Sequence, residues 1–266
     1  MDKPIGIFDS GVGGLTVLDH LKMILPHENM IYIGDNIHCP YGEKTKEQLL
    51  KYTREICDFF ISQNVKMIVL ACNTTSANVL NELQQFYPQI PIVGVINSTV
   101  HDFLSRHLKR VLVIATHATI QSHKYKEIIH HYDQSIQVYE LATPKLVPLV
   151  ESGQYKEGIE DILKDYLKPY IHQVDSLILG CTHYPIILDQ MKNVFYDKDY
   201  ISSSEAICEE VSSYLLVHHL HCQSEQMGSI QIYTTGNPQE FRYSSEGFFD
   251  YQNLEIQYLD FKSEIL

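Results

Sequence analysis

The stretch Met67-Ile68-Val69-Leu70-Ala71-Cys72-Asn73-Thr74-Thr75-Ser76-Ala77 is an apolar run, with β-branched Ile68 and Val69, that gives way to small and hydroxyl residues. This order predicts a buried strand running into a helix, with Cys72 at the exit between them. In an open parallel α/β sheet that edge is where ligands bind, because backbone N–H groups and the positive end of the helix dipole face the crevice. The same plan returns in Ser176-Leu177-Ile178-Leu179-Gly180-Cys181-Thr182-His183-Tyr184-Pro185. One buried cysteine is most simply packing. Two at matching strand exits, placed across a cleft, can address opposite faces of one small molecule.

Outward from these runs the chain reads as alternating strands and helices. Lys3 to Phe8 is an apolar strand that exits into Asp9-Ser10-Gly11-Val12-Gly13-Gly14, followed by a helical stripe of Leu15, Val17, Leu18, Leu21 and Leu25. The glycine-rich turn suits an anion, but it is neither GxGxxG nor a P-loop. Met30 to Ile33 exits into a loop containing Pro40-Tyr41-Gly42, and Lys44 to Asn64 is helical. Asn78 to Phe86 continues the helix after Cys72, Pro91 to Val95 is a fourth strand, and Ser98 and Thr99 are helix starts. A second series opens at Arg110. Its strands Val111–Ile114 and Ile136–Tyr139 exit into Thr116-His117-Ala118-Thr119 and Thr143-Pro144. Cys72 follows Asp9 by 63 residues and Cys181 follows Thr116 by 65. The matched spacing predicts two similar α/β domains with central parallel sheets flanked by helices and the active site in the cleft between them. A helix over Ser203 to His221, a strand over Ile230 to Thr234, a helix over Glu240 to Phe249 and a strand over Leu254 to Tyr258 complete the chain. This tail is expected to rejoin the first half, giving residues 1–96 plus 209–266 as a discontinuous first domain and 97–208 as the second.

The 266 residues suffice for two such domains. A net charge of −13 argues against nucleic acid as a partner, since that binding rests on neutralising phosphates. No apolar run has the roughly 18 residues of a membrane span, and the beginning of the chain leads into a strand; a cytoplasmic location is expected. The six cysteines form no CxxC pair or repeating framework, so free thiols are expected. The motif segments hold no Lys or Arg, which leaves backbone N–H groups and hydroxyls to hold any carboxylate.

Four motifs, Phe-Asp-Ser-Gly-Val-Gly-Gly at 8–14, Gly-Asp at 34–35 with Pro-Tyr-Gly at 40–42, Ala-Cys-Asn-Thr at 71–74 and Gly-Cys-Thr-His-Tyr-Pro at 180–185, together resemble the glutamate racemase family. With Thr-Gly-Asn-Pro-Gln-Glu-Phe at 235–241 the resemblance covers nearly the whole chain. It implies interconversion of L- and D-glutamate at Cα without pyridoxal phosphate, any other cofactor or a metal, supplying D-glutamate for peptidoglycan. Cys72 and Cys181 then match the acid/base pair, and Asp9, His183 and Glu151 the groups that assist them. Asp9, Ser10, Pro40, Tyr41, Gly42, Asn73, Thr74, Thr182 and His183 match substrate contacts, to which Thr116 and Thr119 add hydroxyls. A thiol suits both duties because its ordinary pKa of ~8.5 is close to working pH. Departures from the family pattern include Asn36-Ile37-His38 where Thr-Ala-Arg is frequent, Thr75 where alanine is commoner, and Asn237 where aspartate is usual.

Other readings stand beside this one. They are a racemase for aspartate or another small acid, disfavoured by His183 where the aspartate branch usually has Glu, and a two-lobed binding protein whose cysteines do no chemistry. A third is a metal enzyme using His218, His219, His221 and Cys222, of which 218, 221 and 222 would share a helical face; a histidine-rich helix end is the simpler reading. Asp9 as a helix cap and Glu151 as a solvated charge are the structural alternatives for those residues. The oligomeric state is left open, a homodimer included.

Overall fold

The computed structural model describes residues 3–156, 158–252 and 254–261; the two ends of the expected first domain, 1–2 and 262–266, lie outside them. Strands β1 (Ile5–Asp9), β2 (Met30–Gly34), β3 (Met67–Leu70) and β4 (Ile92–Gly94) begin the chain, and β5 (Arg110–Ala115), β6 (Gln137–Ala142), β7 (Ser176–Gly180) and β8 (Asp199–Ser202) follow. The tail supplies β9 (Ile230–Thr234) and β10 (Ile256–Tyr258). All pairings are parallel, in a six-stranded sheet of order β10-β9-β2-β1-β3-β4 and a four-stranded sheet of order β6-β5-β7-β8. The order β2-β1-β3-β4 is thus repeated as β6-β5-β7-β8, and each cysteine follows the third strand of its series. The tail strands extend the first sheet beyond β2.

Side-chain alternation along the strands builds three layers of core. Ile5 and Ile7 of β1, Met67 and Val69 of β3, Val111 and Val113 of β5 and Ile178 of β7 all enter one central cluster shared by the two sheets. Their neighbours point outward, Phe8, Ile68 and Leu70 into a core under the helix Lys46–Ser62, and Leu112, Ile114, Leu177 and Leu179 into another. The central cluster includes residues of the helices Leu15–Ile24, Val95–Ser105 and Ser203–Val217. Both expected domain boundaries fall inside the last two of these helices. The carboxyl edges of the sheets are thereby held face to face.

Three local expectations are corrected. The helix after β4 begins at Val95, with Gly94 at its cap position; Ser98 and Thr99 lie within its first turns, and their hydroxyls donate to Val95 O at 3.0 and 2.5 Å. The segment after Cys72 is two helices, Asn73–Asn78 and Leu80–Phe86, broken where the Asn78 amide donates to Thr74 O at 2.8 Å. The helix Ser203–Val217 ends before the histidine cluster. His219 takes a left-handed φ of 55°, while the N–H groups of Leu220 and His219 return to Leu215 O and Leu216 O at 2.8 and 3.2 Å. This is a Schellman end. His218, His221 and Cys222 therefore share no helical face, and the described residues contain no group of three His, Cys, Asp or Glu side chains that could hold a metal ion.

At the opposite, amino-terminal edge of the first sheet, Lys66 and Glu28 form a buried ion pair, with side chains 6 % and 3 % exposed. Lys66 Nζ also donates to Leu220 O at 2.6 Å, and Glu28 Oε1 accepts from Cys222 N at 2.7 Å. The pair ties the tail to the first half. Lys66→Met is expected to destabilise the fold by about 3–5 kcal/mol, because it strands a buried carboxylate. Urea unfolding with an unchanged midpoint would show that the pair holds nothing.

Candidate active site

The strand exits Asp9–Gly14 and Cys181–His183 meet across the cleft because two glycines let them approach. A Cβ on Gly11 would lie 2.0 Å from Glu151 Oε1, and one on Gly13 would lie 2.5 Å from His183 Nδ1 and 2.6 Å from Thr182 Oγ1. Without side chains at these two positions, second-half residues rest directly on the first-half turn. Asp9 Oδ1 accepts from Gly11 N and Oδ2 from Thr182 Oγ1, both at 3.0 Å. The turn is fixed from behind by Tyr32, whose hydroxyl donates to Gly11 O at 2.7 Å.

The two cysteines have different surroundings. The Cys72 thiol donates to Ser10 Oγ at 3.8 Å. Burial first, and then the Asp9 charge, push its pKa from the ordinary 9.0 up to about 11, while Thr75 opposes the shift. Thr75 Oγ1 is the one buried side-chain polar atom without a hydrogen-bond partner among the described residues. Its hydroxyl is near enough to the sulfur to favour a thiolate, but not in full hydrogen-bond geometry.

Cys181 Sγ lies 3.5 Å from His183 Nδ1, and His183 Nε2 lies 2.5 Å from Glu151 Oε1. Burial alone would discharge the imidazole. The Cys181 sulfur and the Glu151 carboxylate together outweigh it, so the pKa of His183 stands well above its ordinary 6.5. Cys72 thus faces a carboxylate environment and Cys181 an imidazolium. Asp9 is itself pushed up, chiefly by burial, against the lowering influence of His183, Thr182 and Gly11.

Hydroxyls and amides form the rest of the cleft. Thr74, Thr116 and Thr119 make a triangle of Oγ1 atoms at 2.8, 2.9 and 3.3 Å that joins the first-half exit to the second-half one. Asn73 donates from Nδ2 to Ser203 Oγ at 3.1 Å and accepts from Tyr125 OH at 2.6 Å. Pro40 leads into the short turn Tyr41–Glu43, and Gly42 sits so near Thr116 that a Cβ there would be 2.7 Å from the threonine Cβ. Tyr41 OH donates to Asp35 Oδ2 at 2.5 Å, and Asp35 also accepts from Thr235 Oγ1 at 2.6 Å and pairs with His38 at 2.8 Å. The residues that the family resemblance assigns to the site are gathered at these strand exits and their adjoining loops, whereas Cys222, from the histidine-rich alternative, lies at the opposite edge. Asp35, Asn36, Tyr125 and Ser203 were not assigned roles there; Asp35 and Asn36 lie in a loop already marked as a binding edge, whereas nothing local to Tyr125 or Ser203 signals their contacts.

The site is closed, with Cys72 4 % and Cys181 6 % exposed. A surface cavity of about 550 Å³, lined by Lys3, His27, Asn64, Cys222 and Gln231 among others, opens away from it at the amino-terminal edge of the first sheet. Burial also couples the thiols to stability. Cys57 and Cys208, like Cys72, are raised mainly by burial, to about 12 each. Their contribution is fully present below the ordinary 9.0 and is lost as pH rises through about 11 to 12. The melting temperature is therefore expected to fall above pH ~9, and a flat profile to pH ~11 in a thermal-melt series would contradict this burial effect.

Residues 14–211 match the family described as Asp/Glu/Hydantoin racemase. The chain is 40 % identical over 246 residues to a glutamate racemase of Oceanobacillus iheyensis, covering 91 % of this chain and 89 % of that one. It is 38 % identical over 263 residues to a glutamate racemase of Streptococcus pneumoniae, covering 97 % and 99 %. The crystal structure of the Francisella tularensis glutamate racemase in complex with D-glutamate superposes with a TM-score of 0.91 at 35 % identity, covering 98 % of this chain and 99 % of that one. With a repeated parallel fold, two opposed strand-exit cysteines and these likenesses together, the chain belongs to the Asp/Glu/Hydantoin racemase family.

Proposed function

We propose that the protein racemises glutamate, with Cys72 and Cys181 exchanging the duties of base and acid on opposite faces of Cα. The observation that carries this reading is the pair of sulfurs, each with its own ionisable partners: Asp9 beside Cys72, and His183 with Glu151 beside Cys181. One thiolate removes the α-proton and the opposite thiol delivers another. In the substrate-free protein Cys72 holds its proton, and Cys181, with the His183 ring nitrogen 3.5 Å from its sulfur, is assigned as the base of one direction. For the reverse direction Asp9, raised by burial, is suited to take the Cys72 proton. The amides of the Asp9–Gly14 turn, Asn73, Thr74, Thr116, Thr119 and Thr182 hold the substrate carboxylates and stabilise charge as it develops toward the enolate.

On this reading the two sheets carry two domains that part to admit substrate, divided as 1–96 plus 209–266 and 97–208, and the product D-glutamate serves peptidoglycan synthesis in the cytoplasm. Among the described residues no helix is long and apolar enough to cross a membrane. Chiral chromatography of L-glutamate, and separately of L-aspartate, incubated with the purified protein tests the assignment. Formation of D-glutamate without added cofactor supports it. D-aspartate alone would keep the thiol chemistry and replace the substrate, and no product from either would remove the racemase reading.

A further inference from the structure

The carboxylate that serves Cys181 is held from the other half of the molecule. Glu151 belongs to the second series, yet its Oε1 accepts from Val12 N at 2.9 Å and its Oε2 from Asn36 Nδ2 at 3.2 Å, both donors lying in the first half. Asn36 is fixed in turn. Its Oδ1 accepts from Thr234 Oγ1 at 3.1 Å, and that hydroxyl oxygen accepts from Gly236 N at 3.1 Å, so its own proton is directed to Asn36. This sets the amide orientation. Turned over, the Asn36 carbonyl would oppose the Glu151 carboxylate and its NH2 would meet the hydroxyl proton. A continuous chain therefore runs from Thr234 through Asn36, Glu151 and His183 to the Cys181 sulfur.

We propose that Asn36 is a positioning residue for Cys181: by holding Glu151 Oε2 it turns Oε1 onto His183, and so fixes the imidazole against the sulfur. The inference rests on the two-thiol reading above. Val12 N–H shares Oε1 with His183, so Asn36 is the group that pins the second oxygen and prevents rotation of the carboxylate. Because Asn36 and Glu151 come from opposite halves, the contact forms as the cleft closes. Cys72 is served from its own half by Asp9 and Ser10, of which Asp9 takes a contact across the cleft from Thr182.

The variant Asn36→Asp keeps the side-chain shape and the Thr234 contact but replaces the donor to Glu151 with a carboxylate oxygen that repels it; Asn36→Ala removes both contacts without adding charge. Racemisation of enantiomers has an equilibrium constant of one, so kcat/KM must fall equally in both directions, by on the order of ten- to a hundredfold for a lost supporting contact. The discriminating readout is the α-deuterium isotope effect on kcat/KM, measured for each enantiomer separately. With Cys181 impaired, its proton transfer becomes the slower one. The isotope effect then rises for the enantiomer that Cys181 deprotonates and falls for the other, which is deprotonated by Cys72 before a slow delivery from Cys181.

Divergence of the two isotope effects in Asn36→Ala as well as in Asn36→Asp, in protein with wild-type circular dichroism, is the expected result. Wild-type rates, or an equal loss with both isotope effects unchanged, would overturn the proposal and leave Asn36 a structural residue. If the wild-type protein itself turns over neither enantiomer, the two-thiol reading fails, which is a separate outcome from failure of the Asn36 assignment.

Discussion

Cys72→Ser and Cys181→Ser are each expected to lower kcat/KM for racemisation by about 10³-fold or more in both directions, with folding unaffected. Serine nearly preserves volume at two buried positions, so packing is retained. Its hydroxyl is far too weak an acid to cycle between base and acid near neutral pH. The two losses should be of similar size, because a racemase must pass one proton transfer on each face per turnover. Rates from chiral chromatography on protein with wild-type circular dichroism check this. Near-normal turnover in either variant would leave only one thiol in the reaction.

Asp9→Asn should have the next largest effect, a loss of about 10²-fold in kcat/KM, accompanied by a fall in the pKa of Cys72. The second effect has a definite sign. After burial, the Asp9 charge is the larger influence raising Cys72 to about 11, so a neutral amide must let it descend. Thus the thiol becomes more acidic while activity falls, because the group able to accept its proton has gone. The rate of alkylation of Cys72 against pH, followed by mass spectrometry, reads the shift. An unchanged Cys72 titration would mean that Asp9 does not act on this sulfur, and unchanged activity would remove it from the proton path.

Much of this arrangement was legible in the residues. Strand exits, the two cysteine turns and the equal spacing of the halves follow from apolar runs broken by small residues, and the sheets repeat the strand order accordingly. Helix limits were less legible where tertiary contacts decide them. Ser98 and Thr99 read as caps, but their hydroxyls find Val95 O within the helix. The histidine run after Val217 reads as helical, but a left-handed turn at His219 ends the helix and turns the chain toward the Lys66–Glu28 pair. In the site, the residues flanking each cysteine could be named because they lie on the same exit. Asn36 could not be connected to Glu151, nor Tyr125 to Asn73, since each pair is brought together only by the packing of one half against the other.

The central claim is that two thiols act on opposite faces, and solvent deuterium tests it most directly. L-glutamate is incubated with the protein in D₂O, the reaction is stopped early, and the enantiomers are separated and examined by proton NMR and mass spectrometry; the experiment is repeated from D-glutamate. The account predicts deuterium at Cα of the product enantiomer and protium retained in the recovered substrate, from either side. Equal early labelling of substrate and product, or product that keeps the original proton, would mean that a single base serves both faces, contradicting the paired roles of Cys72 and Cys181.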